Sequence, residues 1–175
     1  MAKQLGWSID LRKCVGCHAC AVSCKAENNT PPEMAWRRVI TQNGGQYPNI
    51  TARFVTVTCF HCAEPSCIAA CPTEGAIVKR AEDGVVYIDQ ELCVGCRRCE
   101  WACPYGAVQF NPETKLVEKC TFCLHRLDAG LAPACVTTCM GDALHFGDLA
   151  ELQGDESIED FADPRLTVPS VRFKA

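Results

Sequence analysis

The chain has 175 residues, enough for one compact domain or two small fused ones, and it carries 16 cysteines on a formal net charge of −4. Its 48% apolar content counts those cysteines, so the aliphatic and aromatic supply is thin and something besides side-chain packing must help hold the fold. The negative charge disfavours a nucleic-acid partner, and no apolar run approaches the roughly 18 residues of a membrane span.

The opening residues, Met1 to Trp7, show neither the apolar stretch nor the small-residue cleavage site of a secretion signal. The expectation is a soluble chain whose link to a membrane comes through a partner. Trp7–Ile9 reads as a brief strand, and Ala19–Ala26 as a helical turn entered from a cysteine loop. Trp36–Ile40 and Arg53–Val57, separated by Asn43-Gly44-Gly45 and Tyr47-Pro48-Asn49, read as an inserted hairpin. Ile77–Lys79 and Val85–Ile88 are short β-branched strands, and Arg98–Ala102 is a second helical turn. After Gly147 the cysteines stop. The acidic stretch Asp148–Asp163 leads into a Pro-interrupted tail that either drapes over the body or a partner, or is a partly ordered terminus.

The cysteines fall into four groups of four: Cys14, Cys17, Cys20, Cys24; Cys59, Cys62, Cys67, Cys71; Cys93, Cys96, Cys99, Cys103; and Cys120, Cys123, Cys135, Cys139. Each group opens with C-x2-C and closes with C-x3-C, while the middle gap runs two, four, two and eleven residues. Groups one and three match at a constant offset of 79, with rhyming lead-ins at Ile9-Asp10 and Ile88-Asp89; the first two cysteines of groups two and four share an offset of 61. Duplication is the economical explanation.

Three thiolates at i, i+3 and i+6 let one tight loop wrap three corners of a cubane, leaving the fourth corner to a distant cysteine. In the C-x2-C-x2-C-x3-C-P run the last cysteine serves the other cluster of a pair. Cys71-Pro72 and Cys103-Pro104 carry that proline; Cys24-Lys25 and Cys139-Met140 do not. Gly16 and Gly95 are expected where the backbone passes close to a cluster. A disulfide scaffold would need strained bridges between neighbours in short loops. Zinc sites usually pair two separate C-x2-C knuckles, whereas groups one and three each place three cysteines within seven residues. Four [4Fe–4S] clusters are therefore expected. If all sixteen cysteines ligate iron, the loaded chain carries about −12, each cubane with its ligands contributing about −2.

Groups two and three, joined by a link typical of two-cluster ferredoxins, form a module by themselves, and groups one and four remain to pair around it. The expected ligand sets are Cys14, Cys17, Cys20 and Cys139; Cys24, Cys120, Cys123 and Cys135; Cys59, Cys62, Cys67 and Cys103; and Cys71, Cys93, Cys96 and Cys99. Pairing group one with two and three with four is the competing topology. The fold class expected is α+β: two ferredoxin-like halves, one nested inside the other, with an irregular C-terminal tail. Residues 1–34 plus 111–147 make the outer half, 35–53 the hairpin, 54–110 the inner half and 148–175 the tail.

The group order, the Cys120-Thr121-Phe122-Cys123-Leu124-His125-Arg126 block, the eleven-residue gap to Cys135 and Gly147-Asp148 resemble the four-cluster electron-transfer subunits of molybdopterin oxidoreductases, among them polysulfide, thiosulfate and dimethyl sulfoxide reductases. The resemblance spans roughly Trp7 to Gly147. It implies nested ligand pairing, four [4Fe–4S] clusters and no catalysis of the chain's own. It also implies a large molybdopterin or tungstopterin catalytic subunit, a membrane-anchor subunit that exchanges electrons with quinol, and a place in anaerobic respiration. The catalytic subunit usually carries the export signal, so a periplasmic position at the membrane surface is expected, with the cytoplasmic side open. A relay subunit of a hydrogenase or formate-lyase-type complex is the rival in the same class, and a zinc-stabilised interaction module the rival outside it.

Lys25, Arg97, Arg98, Lys119 and Arg126 stand in or beside the cysteine motifs. They are candidates for raising cluster potentials, with surface ion pairs or partner contacts as the alternative. His18, His61 and His125 are expected to pack or hydrogen-bond beside the clusters, and Trp101 to pack over one.

Overall fold

The computed structural model describes residues 3–175; residues 1 and 2, where the stretch read for a leader begins, lie outside them. Leu5–Asp10 (β1) alternates Leu5, Trp7 and Ile9 with Gly6, Ser8 and Asp10, yet all six residues are buried. A strand covered on both faces needs partners on both edges. Leu144–Asp148 (β8) supplies one, antiparallel, with Ile9 opposite Leu144. Val171–Lys174 (β9) supplies the other, parallel, with Trp7 opposite Val171. The tail therefore does not end irregularly: its alternating Val171-Arg172-Phe173-Lys174 buries Val171 and Phe173 and completes the sheet.

Three two-stranded ribbons accompany this sheet. Arg38–Gln46 (β2) and Asn49–Val57 (β3) form the hairpin, whose strands run through Gly44 and Gly45 to a turn at Tyr47-Pro48. Ile77–Lys79 (β4) pairs with Val86–Ile88 (β5), and Gln109–Phe110 (β6) with Val117–Glu118 (β7).

The internal repeat governs the local geometry. At the offset of 79, Gly16 and Gly95 both take φ +67°, while His18 and Arg97 take φ 60° and 63° just ahead of helices that begin at Ala19 (α1, Ala19–Asn28) and Arg98 (α3, Arg98–Ala102). Asp10 and Asp89 make the same turn: each carboxylate accepts a backbone N–H two residues on, from Arg12 at 3.0 Å and Glu91 at 2.9 Å. Each aspartate carbonyl accepts the N–H of the first cysteine, Cys14 at 3.2 Å and Cys93 at 3.1 Å. The helices differ in length for one reason. Cys103 precedes Pro104, which forces it extended (φ −82°, ψ 112°) and ends α3 after five residues. Lys25 stands at the equivalent position in α1, which is thereby free to run for ten residues rather than the single turn expected.

Groups two and four are built alike as well. His61 and Phe122, 61 residues apart, both have positive φ. Pro65 and Pro133 each precede a single turn, Ser66–Ala69 (α2) and Ala134–Thr137 (α5), that carries the third cysteine. The extra residues of group four fold as Leu124–Leu127 (α4) and the loop behind it.

The two ends of the chain meet: α1 packs on α5 and β1 on β8, as α2 packs on α3 and β4 on β5. The Asp10 N–H donates to the Ala143 carbonyl at 2.8 Å, and the Asp89 N–H to the Ala76 carbonyl at 2.9 Å. The main core gathers Trp7, Ile9, Met34, Trp36, Val55, Phe60, Phe122, Leu144, Val171 and Phe173. A second cluster of six buried residues lies under β4 and β5: Ile77, Val86, Ile88, Cys99, Val108 and Val117.

Candidate metal centres

Four helices, α1, α2, α3 and α5, carry cysteines four residues apart in or just beyond them, and the two thiols of a pair go to different sets. Three cavities result. Cys14, Cys17, Cys20 and Cys139 line one, closed by Val39, Thr56 and Leu144. Cys59, Cys62, Cys67 and Cys103 line another with Phe60, Tyr105 and Lys119. Cys71, Cys93, Cys96 and Cys99 line a third with Ile77, Ile88 and Val117. The remaining four also lie together: Cys24 feels the charges of Cys135 and Cys123, and Cys120 those of Cys24 and Cys135. All sixteen are free thiols, and among the described residues no three His, Cys, Asp or Glu side chains converge on a position for one metal ion. The thiols instead stand four to a cavity, the donor number that a cubane with one thiolate per iron requires.

Burial pushes the thiols of Cys24 and Cys67 up to about 12 and those of Cys62 and Cys99 up to about 11. As bare thiols they are protonated at neutral pH, so loading with iron releases their protons. Backbone donors are already in place: the N–H groups of Ala107, Phe122 and Ala143 point at the sulfurs of Cys103 (3.5 Å), Cys120 (3.4 Å) and Cys139 (3.3 Å). Gly16 and Gly95 take a left-handed backbone that disfavours side chains, and a Cβ would stand 2.5 Å from the Phe54 ring at Gly16 and 2.2 Å from the Lys115 carbonyl at Gly95. The Gly16 N–H also donates to the Cys14 thiol.

Of the five cations named from the sequence, Lys119 alone faces a ring. It is 2% exposed, lies 3.5 Å from Cys59 Sγ and donates to the carbonyls of Val86 and Cys120. Lys25 is spent on the carbonyls of Pro31, Pro32 and Met34 behind α1. Arg97 pairs with Glu100 at 2.7 Å and stacks on Phe110, and Arg98 is exposed. Arg126 ties Glu27 to the Ala132 carbonyl, and His125 shares Glu27. His18 is exposed, capping α1 through its backbone. His61 is buried: burial, with Lys119 nearby, holds it well below the usual histidine range, and its Nδ1 accepts from the Val86 N–H at 3.0 Å. Trp101 does not pack over a thiol ring; it is 84% exposed.

Arg37 is the functional-site residue that sequence reasoning missed. It follows Trp36 and precedes Arg38, with no motif to mark it, and it is 1% exposed. Its guanidinium rests on Trp7, 4.5 Å from the ring centroid, and Trp7 stacks on Phe122 at 3.9 Å. Trp7 Nε1 donates to the Cys59 carbonyl at 3.0 Å, so this stack stands where groups two and four meet. Arg37 Nε and Nη2 are buried without a hydrogen-bond acceptor. Burial acts to lower the Arg37 pKa, yet Cys135, Cys120, Cys20 and Cys24 raise it on balance. A buried cation without a counter-charge costs several kcal/mol, and the anion this one lacks is what iron–sulfide cores on those thiolates supply. The residues fit the group.

A family model described as a 4Fe-4S dicluster domain matches residues 50–149. The B subunit of tetrathionate reductase from Salmonella typhimurium is 45% identical over 148 residues, covering 82% of this chain and 57% of its own length. That of sulfite dehydrogenase from Allochromatium vinosum is 40% identical, covering 89% and 73%. That of anaerobic dimethyl sulfoxide reductase from Escherichia coli is 39% identical, covering 87% and 78%. The chain thus spans little more than half of the first relative and about three quarters of the other two. It is a member of the 4Fe-4S dicluster family and, within it, of the non-catalytic iron–sulfur B subunits of molybdopterin-type reductases.

Proposed function

We propose that the chain relays electrons through four [4Fe–4S] clusters between a molybdopterin or tungstopterin catalytic subunit and a membrane quinone-reactive or other redox partner. The ligand sets are Cys14, Cys17, Cys20 and Cys139; Cys24, Cys120, Cys123 and Cys135; Cys59, Cys62, Cys67 and Cys103; and Cys71, Cys93, Cys96 and Cys99. The halves are nested, groups one and four enclosing groups two and three. The meeting of β1 with β8 and of α1 with α5 supports this over the sequential pairing.

The rings follow one another in a line. Cys135 of the second feels Cys20 of the first, and Cys120 of the second feels Cys59 of the third. The third and fourth share α2 and α3, since Cys67 and Cys71 bracket one turn and Cys99 and Cys103 the other. When bound, the clusters supply the one-electron chemistry; the chain fixes their spacing, excludes water and sets the charge around them.

The observation that carries the reading is the exposure of the two terminal rings. Cys17 and Cys96 are exposed, at equivalent positions of the repeat and at opposite ends of the line. Exposed apolar side chains surround each: Val15, Val22 and Met140 beside Cys17, and Leu92, Val94 and Trp101 beside Cys96. An apolar rim round an exposed ligand suits a docked redox partner, and Arg97 and Arg98 add charge to the second rim. The names of the relatives support a reductase complex as the setting. Among the described residues no helix is long and apolar enough to cross a membrane. A peripheral position at the membrane, held by partner subunits on the extracytoplasmic side with the cytoplasmic side open, is part of the proposal.

Anaerobic purification with partner subunits tests this. Four clusters by iron and sulfide content, with a large pterin-containing chain, are expected. A nickel-containing partner would transfer the chain to hydrogenase-type complexes, and a colourless zinc protein would end the relay reading.

A further inference from the structure

Arg37 forms no ion pair with a carboxylate among the described residues, yet it is buried at 1% exposure. One of its arms is accounted for: Nη1 donates to Thr56 Oγ1 at 3.0 Å. Thr56 is itself buried, and its hydroxyl oxygen lies 3.6 Å from Cys20 Sγ. Arginine only donates, so it takes a lone pair of the hydroxyl and leaves the Thr56 hydrogen free to point at the sulfur. The other arms, Nε and Nη2, have no acceptor, and the charges acting on the guanidinium belong, in order, to Cys135, Cys120, Cys20 and Cys24. One side chain thus serves two rings, the second directly and the first both directly, through Cys20, and by way of Thr56.

We propose that Arg37 sets potential: it is a fixed cation shared by the clusters of the Cys14, Cys17, Cys20, Cys139 ring and the Cys24, Cys120, Cys123, Cys135 ring, raising the reduction potential of the second most and that of the first through its charge beside Cys20 and through the Thr56 hydroxyl. Reduction adds one electron and one negative charge to a cluster. A cation already desolvated and held by Trp7 stabilises that charge without reorganising, and a hydrogen bond to a ligand sulfur acts in the same direction. Arginine keeps its proton across the accessible range, so this contribution is independent of pH. The inner half has a different device, Lys119 against Cys59. The inference rests on the four-cluster reading above.

The test is a redox titration followed by electron paramagnetic resonance, on anaerobically purified loaded chain with its partner subunits, comparing the parent with Arg37→Gln, Arg37→Lys and Thr56→Val, each with its iron and sulfide counted. With four clusters retained, Arg37→Gln is expected to weaken reduction of one cluster at least about tenfold, about 59 mV for a one-electron couple. A second cluster shifts less, and two do not move. Arg37→Lys restores most of the shift, and Thr56→Val lowers a single cluster only. These shifts are the same at pH 6 and pH 8. Should Arg37→Gln fail to assemble, Thr56→Val decides: a selective fall in one cluster supports the proposal, and unmoved potentials overturn it. Four clusters with unmoved potentials in Arg37→Gln also overturn it, leaving the relay intact. A parent with fewer than four clusters overturns the relay reading instead.

Discussion

The two cysteine-paired halves are built on the same plan but held together differently. Around groups one and four, β1 is bonded on both edges, and Trp7, Phe122, Phe60 and Phe173 belong to one core, with Arg37 laid on Trp7. Around groups two and three, the Cys59, Cys62, Cys67, Cys103 ring shares that core through Phe60 and Tyr105, whereas the Cys71, Cys93, Cys96, Cys99 ring rests on a separate cluster of six buried residues under a three-residue ribbon, and α2 and α3 are cut short before Pro72 and Pro104. The first half is a small protein that encloses clusters. The second is closer to a wrapper whose core is the clusters themselves, because so few apolar side chains cannot offset the entropy of ordering the loops.

Removing the iron should separate the halves most sharply. Under anaerobic chelation, amide exchange is expected to lose all protection across β4, β5, α2 and α3, while β1 retains a residue of it. Equal retention in both halves would break the contrast. Next in size is Phe173→Ala, which empties a fully buried position shared with Phe60 and Phe161 and should cost about 3–5 kcal/mol by chemical denaturation. A loss below about 1 kcal/mol would mean that the C-terminal strand merely leans on the sheet. Gly95→Ala against Gly16→Ala compares the equivalent loops. Each puts a side chain at φ +67°, costing roughly 1–2 kcal/mol. Gly95→Ala also drives a Cβ into the rigid Lys115 carbonyl, whereas Gly16→Ala meets only the movable Phe54 ring. The Gly95 variant should therefore lose more cluster absorbance on mild heating.

The smallest expected difference concerns Asp10 and Asp89. Both hold the turn into a cysteine loop, but Asp10 also receives the Arg12 guanidinium at 3.2 and 3.1 Å, while the residue at the equivalent place beside Asp89 is Glu91. The side-chain hydrogen bond from Arg12 holds the Asp10 carboxyl down at about 2 against an ordinary 3.8. A lowered carboxyl stabilises the fold above the ordinary value and loses that contribution as pH falls through the lowered one. Asp10→Asn should flatten acid unfolding between about pH 4 and pH 2, and Asp89→Asn should change it less.

Much of this was legible because the cysteine spacing is dictated by the geometry of the group it holds. The repeat at 79 foretold paired turns, and the structure reproduces them down to the φ angles of Gly16 and Gly95. Trp7–Ile9, Ile77–Lys79 and Arg98–Ala102 were readable from β-branching and from the cysteine loops. The β9 strand was missed although Val171-Arg172-Phe173-Lys174 alternates plainly, since four residues behind two prolines read as an end rather than an edge. Arg37 was out of reach for a deeper reason. An arginine beside another arginine reads as surface, and only the folded backbone reveals that Trp7, from another element, covers it. Trp101 failed in the opposite direction: its place between Cys99 and Cys103 implied burial, but α3 turns that face outward.

The nested relay depends on which thiols share a cluster. A diffraction experiment on anaerobically grown crystals, with anomalous maps at the iron edge, would show this directly. The prediction is four compact iron sites in a line, with Cys24 bound beside Cys120, Cys123 and Cys135, and with Cys139 completing the site of Cys14, Cys17 and Cys20. Cys24 found on the same iron core as Cys14, Cys17 and Cys20, or single metal ions in place of compact clusters, would contradict it.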